Sequence, residues 1–311
     1  LAHTGGTIDK LEAIPGFNTG LSLEEMKSNP CFISRQTDDI APADRILYSI
    51  RDITGTVPQI GLITASIISK KAAEGLEKLV LDVKCGNAAF MQTREDAVAL
   101  AKSMVTTGNR LAMAVTAQVT EMDNPIGRMY GNSHEIVECI QCLKGEGPTD
   151  TMELVFAQAE ALGYDIRDRI SDGSALREFE EMCIRQNVDP GVISQLVSKP
   201  WSVLDRAPVS TNIVAKESGY ISQINALTIG EVLCKLGAGR TGENPDIDHG
   251  VGAELLFDIG DKITAGEPWI RFDTREEMSV AMNETIQRSL SISETKPTES
   301  SRIIEIIESQ N

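Results

Sequence analysis

The sequence predicts an α/β protein, a mixed sheet flanked by helices, with an α+β domain toward its C-terminal end. Three observations carry that reading. The apolar run 79–84 has strand length and is followed by a helical pattern over 93–107 and a second strand over 111–119, the order of an α/β fold. Residues 43–73 read as two consecutive helices. From Pro208 onward the texture changes to Ser, Thr, Gly and β-branched residues, with turns at 258–260 and 265–266.

With 311 residues, 41% hydrophobic and 24% charged, the chain can bury a large core, in what reads as two lobes. A formal charge of −17 argues against a nucleic-acid surface or an anionic membrane, where clustered Lys and Arg are expected, and points to a small-molecule partner. An anionic substrate must then be held by local donors, because the field of the whole molecule repels it. The six cysteines (Cys31, Cys85, Cys139, Cys142, Cys183, Cys234) are sparse and unpatterned, which fits a reducing compartment. Cys139 and Cys142 are spaced like a redox or zinc pair, but they lie inside the helical run 133–143 with no second pair nearby, so they read as structural. No apolar run reaches membrane-spanning length and no signal peptide is visible, so the expected location is cytoplasmic.

Along the chain, residues 1–17 begin Gly- and Thr-rich and turn amphipathic. In the Gly5-Gly6 pair the missing side chains let backbone amides approach an anion, and Thr4 and Thr7 add hydroxyls. A simple helix-entry turn is the alternative. Residues 21–29 form a helix with Ser22 as N-cap and Glu25 three positions on, a capping box. Residues 31–34 read as a short strand. Pro42 and Asp44 open the next helix, where a first-turn acid suits the dipole; orienting a neighbouring arginine is the other reading of Asp44. After the strand at 79–84 come Phe90 and Met91, then a helix capped by Thr93 with Asp96 at its third position. A helix over 133–143 follows and carries Glu138, with His134 packing or capping at its start. Residues 150–195 are helical throughout. Strands are expected at 212–215, 219–224, 253–257 and 269–272, with a helix at 229–236. The last 35 or so residues read as mostly helical, ending in a polar tail. Residues 237–242 match G-x-G-x-x-G, but they follow a helix where a dinucleotide fingerprint needs a strand, so they read as a loop.

The chemistry concentrates in residues 48–71. On a helix over 59–75, Ser66 and Lys70 stand at i and i+4 on one face, beside apolar Ile63 and Ile67. Arg51, at the end of the preceding helical run, adds a planar fork of donors. Singly, each charge reads as surface and Ser66 as a small packing residue. Together, a desolvated Lys and Arg need an acceptor-rich partner, and these donors suit the imide edge of a planar ring.

These strings resemble the thymidine and pyrimidine-nucleoside phosphorylases: LAHTGGTIDKL at 1–11, APAD at 41–44, RDIT at 51–54, LITAS at 62–66 and DVK at 82–84, in that order. The resemblance runs to about residue 275. It implies reversible phosphorolysis, in which phosphate displaces thymine, and in related reactions uracil, from C1′ of the nucleoside and leaves 2-deoxy-α-D-ribose 1-phosphate. Arg51 and Lys70 would then be the catalytic donors. Arg51, Ser66, Lys70, Tyr48, Ile63, Phe90 and Leu1 would contact the pyrimidine, Phe90 having core packing as its alternative. Thr7 would contact phosphate. The resemblance also implies no required cofactor, phosphate as co-substrate, and a possible bound cation near Glu138, whose alternative is a solvated helix face. It makes residues 1–42 and 74–206 the two parts of an α/β phosphate-binding lobe, 43–73 part of a small all-α lobe that binds the pyrimidine, and 207–311 the C-terminal domain. The expected partners are thymidine and phosphate, without nucleic acid or membrane, in a homodimer when full length. The family's Lys-His-Ser-Thr-Gly-Gly loop is absent and Leu1 falls inside a motif far from the family's start, so the sequence is expected to be a fragment, inactive alone. A non-catalytic relative acting as a binding or signalling protein, or an enzyme like anthranilate phosphoribosyltransferase, is the alternative.

Overall fold

The computed structural model describes residues 6–35, 41–44, 56, 59–240 and 246–308. Leu1, Tyr48 and Arg51 lie outside them. In chain order the helices are α1 (Thr7–Leu11), α2 (Leu23–Ser28), α3 (Ile60–Ala73), α4 (Arg94–Arg110), α5 (Asn132–Leu143), α6 (Thr149–Ala161), α7 (Arg167–Ser171), α8 (Ser174–Arg185), α9 (Pro190–Ser198), α10 (Ala226–Leu233) and α11 (Val280–Gln287). The strands are β1 (Lys78–Cys85), β2 (Ala114–Glu121), β3 (Met129–Gly131), β4 (Val209–Val214), β5 (Gly219–Ile224), β6 (Gly252–Leu255), β7 (Lys262–Ile263), β8 (Pro268–Thr274), β9 (Leu290–Ser293) and β10 (Ile303–Ile307). The chain divides into two compact units. The first comprises Leu1–Arg35, Asn124–Met152 and Arg167–Ser300, the second Gln36–Asp123, Glu153–Ile166 and Ser301–Asn311.

The second unit is built on a three-stranded sheet in the order β1-β2-β10. β1 and β2 run parallel, from Lys78 opposite Ala114 to Cys85 opposite Glu121, as their apolar runs predict. Successive side chains leave a strand on opposite faces. Leu79, Val83, Val115, Ala117 and Val119 therefore fall together, and they form one core with Ala97, Leu100, Ala101 and Met104 of α4 and Ile68 of α3. Each fully buried aliphatic side chain there contributes about 1.5–3 kcal/mol. Asp82, Lys84, Gln118 and Thr120 take the alternate positions. The N-cap of α4 is the predicted one, with Thr93 accepting the Asp96 amide.

The first unit holds two antiparallel sheets, β3-β6-β8-β4 and β7-β5-β9. Their shared core includes Ile221, Ile224, Leu233, Trp269, Ile270, Phe272 and Ile286. A separate core joins α1, α5, α8 and α9 through Leu11, Ile14, Ile136, Ile140, Met182 and Leu196. Ser22 and Glu25 form the predicted capping box of α2.

Two elements depart from the sequence reading. Residues 31–34 form no strand. The amide and carbonyl of Ile33 bond instead to the side-chain amide of Gln186, at 2.9 and 2.8 Å, so one glutamine does the work of a neighbouring strand. The segment after α11 is not helical either. It supplies β9, paired with β5, and β10, paired antiparallel with β2. In Ile303–Ile307, four β-branched side chains suit a pleated surface better than a helix.

Candidate active site

Helix α3 starts where Gln59 caps the Leu62 amide, and it is tied to α4 by the 2.9 Å bond from Thr64 Oγ1 to Ser103 Oγ. With Thr64 and Ile68 buried on that side, the i, i+4 pair Ser66 and Lys70 comes together as expected. Lys70 Nζ donates to Ser66 Oγ at 3.1 Å and to Asp44 Oδ2 at 2.7 Å. Ser66 is 6% exposed and Asp44 9%, while the Lys70 side chain between them keeps 28% of its surface in water. An ammonium has three N–H donors. Among the described residues it donates to two, Ser66 and Asp44. The Ser66 hydroxyl accepts from Lys70, and among the described residues no bond that it donates is seen. Asp44 thus does more than suit a helix dipole: across 26 positions of sequence it holds the Lys70 ammonium in place. Ile63 and Ile67 pack against the core of the second unit. Phe90 is 56% exposed, so it is not a core residue; Met91 beside it takes that place at 5%.

At the end of β1, the DVK segment forms a network that residue types alone did not reveal. Lys84 Nζ lies 2.8 Å from Asp82 Oδ2 and donates to Thr120 Oγ1 at 3.1 Å. Thr120 donates to Asp82 Oδ1 at 2.5 Å, and Gln158 reaches Asp82 Oδ2 at 3.2 Å. The signal was available in the strand pairing, since parallel register sets Lys84 opposite Thr120 and Asp82 opposite Gln118.

In the first unit, Thr7 is exposed at the start of α1. Asp9 accepts the Gly6 amide at 2.7 Å and is gripped by both terminal nitrogens of Arg240, at 2.8 and 2.7 Å. Burial pushes the Asp9 carboxyl up, but the bonds from Arg240 and Gly6 outweigh it and leave the group below its ordinary range.

Glu138, on α5, is 8% exposed. Its Oε1 accepts the amides of Arg128 and Met129, at 2.6 and 3.1 Å. Burial pushes the carboxyl up, the two amides pull it down, and Glu135 and Asp150 push again, so that it reaches about 7. Gly127, at φ +71°, is needed twice over: only glycine adopts that backbone without strain, and a Cβ would overlap Oε2. Oε1 is thus occupied by two amides and Oε2 lies against Gly127. Among the described residues no group of three or more His, Cys, Asp or Glu side chains is placed to hold a metal ion.

His134 does pack, and with a partner the sequence did not indicate. It is fully buried, its Nε2 2.9 Å from Asp273 Oδ2, and it meets the Trp201 ring edge-on at 4.9 Å. Asp273 also receives Arg206 Nε at 2.8 Å and the Ser210 hydroxyl. Burial raises this carboxyl, but the three donors outweigh it and hold it far below its usual range. The network ties α5 to β8 and β4. A shallow cavity of about 400 Å³ is lined by Asp205, Asp246, Asp248, His249 and Arg275 among others, and includes none of the predicted site residues. No described helix is long and apolar enough to cross a membrane.

Residues 1–181 match the profile of the glycosyl transferase family a/b domain, and residues 220–293 match the pyrimidine nucleoside phosphorylase C-terminal domain. The chain is 40% identical to thymidine phosphorylase of Homo sapiens across 96% of its own length and 66% of that protein's. Against pyrimidine-nucleoside phosphorylases it is 40% identical to that of Bacillus subtilis, covering 89% of this chain and 67% of the relative, and 37% identical to that of Geobacillus stearothermophilus, covering 95% and 71%. The chain thus spans about two thirds of the length of these relatives. It belongs to the thymidine and pyrimidine-nucleoside phosphorylase family.

Proposed function

We propose that the protein catalyses the reversible phosphorolysis of thymidine, and of deoxyuridine or uridine, to the free pyrimidine and the pentose 1-phosphate. The observation that carries the reading is the Ser66–Lys70–Asp44 group, an anchored ammonium and a hydroxyl donor side by side on one helix face, in a chain about 40% identical to named phosphorylases. A phosphate oxygen attacks C1′ as the bond from C1′ to the ring nitrogen breaks. The bonding pair leaves with the base, which takes up a proton, and configuration at C1′ inverts. Lys70 and Arg51 stabilise the developing base anion, and Ser66 positions the ring edge. Tyr48, Ile63, Phe90 and Leu1 contact the pyrimidine, and Thr7 contacts phosphate. No nucleophilic side chain is required, since phosphate supplies the attacking oxygen. We further assign the protein to the cytoplasm, as a homodimer. Glu138 is left as the side chain that could meet a cation, and no step depends on it.

The test is thymine release from thymidine by the complete protein, followed by chromatography with and without inorganic phosphate. Release that requires phosphate is the expected result. No phosphate-dependent release would sink the proposal.

A further inference from the structure

We infer that Arg240 is the charge-compensating residue of the phosphate turn: it cancels Asp9 so that a dianion can be received beside Thr7. This rests on the proposed placement of phosphate at Thr7. The molecule carries −17 overall, and Asp9, two residues from Thr7, is a carboxylate only 6% exposed. Such a charge is poorly screened by solvent and repels phosphate most strongly at short range. Asp9 is nevertheless needed, because it fixes the turn by accepting the Gly6 amide at 2.7 Å. Arg240 meets it with a two-pronged grip, the geometry in which a guanidinium neutralises a carboxylate most completely. The fork arrives from far along the chain and is itself held in place. Asn132 Nδ2 donates to the Ala238 carbonyl at 3.0 Å, the Asp248 amide donates to the Gly237 carbonyl at 2.8 Å, and the Cys234 thiol donates to the Arg240 carbonyl. His249 adds a weaker favourable field at Asp9, while Glu12 draws on Arg240. The neighbouring Lys10 and Glu135 pair with each other.

A tether that merely shaped the fold would matter to both substrates. A charge balance matters to phosphate alone, and that difference is measurable. In the complete protein, Arg240→Met should raise the KM for inorganic phosphate by about tenfold, equal to about 1.4 kcal/mol, while the KM for thymidine stays within roughly twofold on the same scale. The double variant Asp9→Asn/Arg240→Met, with both charges gone, should bring the phosphate KM back toward wild type. The inference is overturned if the double variant is no better than Arg240→Met, or if the thymidine KM rises in parallel. Should Arg240→Met not fold, the double variant decides: a phosphate KM near wild type supports the charge balance, and a raised one overturns it. Thr7→Val separates the underlying assumption. If it leaves the phosphate KM unchanged, phosphate does not sit at this turn; if it raises that KM and Arg240→Met does not, only the role of Arg240 fails.

Discussion

Glu138 should make the first unit less stable as pH rises, the reverse of what a salt-bridged carboxylate does. Its ordinary value of 4.5 is pushed to about 7 in the folded protein, burial being the main cause. The unfolded chain therefore gives up its proton at lower pH than the folded one. The neutral acid favours folding below about 4.5, that advantage is lost progressively up to about 7, and the curve is flat beyond. At roughly 1.4 kcal/mol per pH unit, the gap corresponds to about 3 kcal/mol. Glu138→Gln removes the titration and keeps an oxygen for the amides of Arg128 and Met129. The protein's 2 tryptophans, Trp201 and Trp269, both lie in the first unit, so urea unfolding followed by their fluorescence reports on the right body. The stability of wild type minus that of Glu138→Gln should fall by up to about 3 kcal/mol between pH 4.5 and about 7, leaving the variant the more stable protein in mild alkali. A difference that does not change with pH, or that grows in favour of wild type, would refute the reasoning.

Three further outcomes are expected. Lys70→Ala or Arg51→Ala in the complete protein should lower kcat/KM for thymidine by about 2 kcal/mol or more, the scale of losing one charge-stabilising donor; unchanged kinetics in either variant would contradict its assignment. Asp44→Asn should cost about tenfold in kcat/KM at saturating phosphate, because the Lys70 ammonium loses the carboxylate that holds it, and a protein with normal circular dichroism and normal kinetics would show that anchor to be dispensable. Gly252→Ala places a Cβ into the His134 ring and should destabilise the first unit by about 1–3 kcal/mol, read as a lower urea midpoint; an unchanged midpoint would mean that the ring can move aside.

The parts of the fold legible in the sequence are those decided within a few residues. The Ser22–Glu25 capping box, the Thr93 cap and the shared face of Ser66 and Lys70 all follow from helical spacing, and the parallel pairing of β1 and β2 follows from two apolar runs around a helix. The failures are long-range. Nothing near Ile33 announces that Gln186, more than 150 positions away, supplies its hydrogen bonds. Nothing in the segment around Ile303 announces that β2 will take it as a strand. The same holds in the candidate site, where Lys70 and Ser66 were readable but the Asp44 anchor needed the fold. So did the Asp9–Arg240 grip, which spans 231 positions, and the partnership of His134 with Asp273.

The pairing of β10 with β2 also orders events in time. The second unit is assembled from residues on both sides of most of the first, and Ile303 registers against Thr120. During synthesis, β2 leaves the ribosome some 180 residues ahead of its antiparallel neighbour, so the edge where β10 will sit stays open while the antiparallel sheets of the first unit are being made. Closing so large a loop is entropically slow. Until it closes, the exposed backbone of β2 is where a nascent or heat-stressed molecule would be captured by a chaperone or by a second misfolding chain.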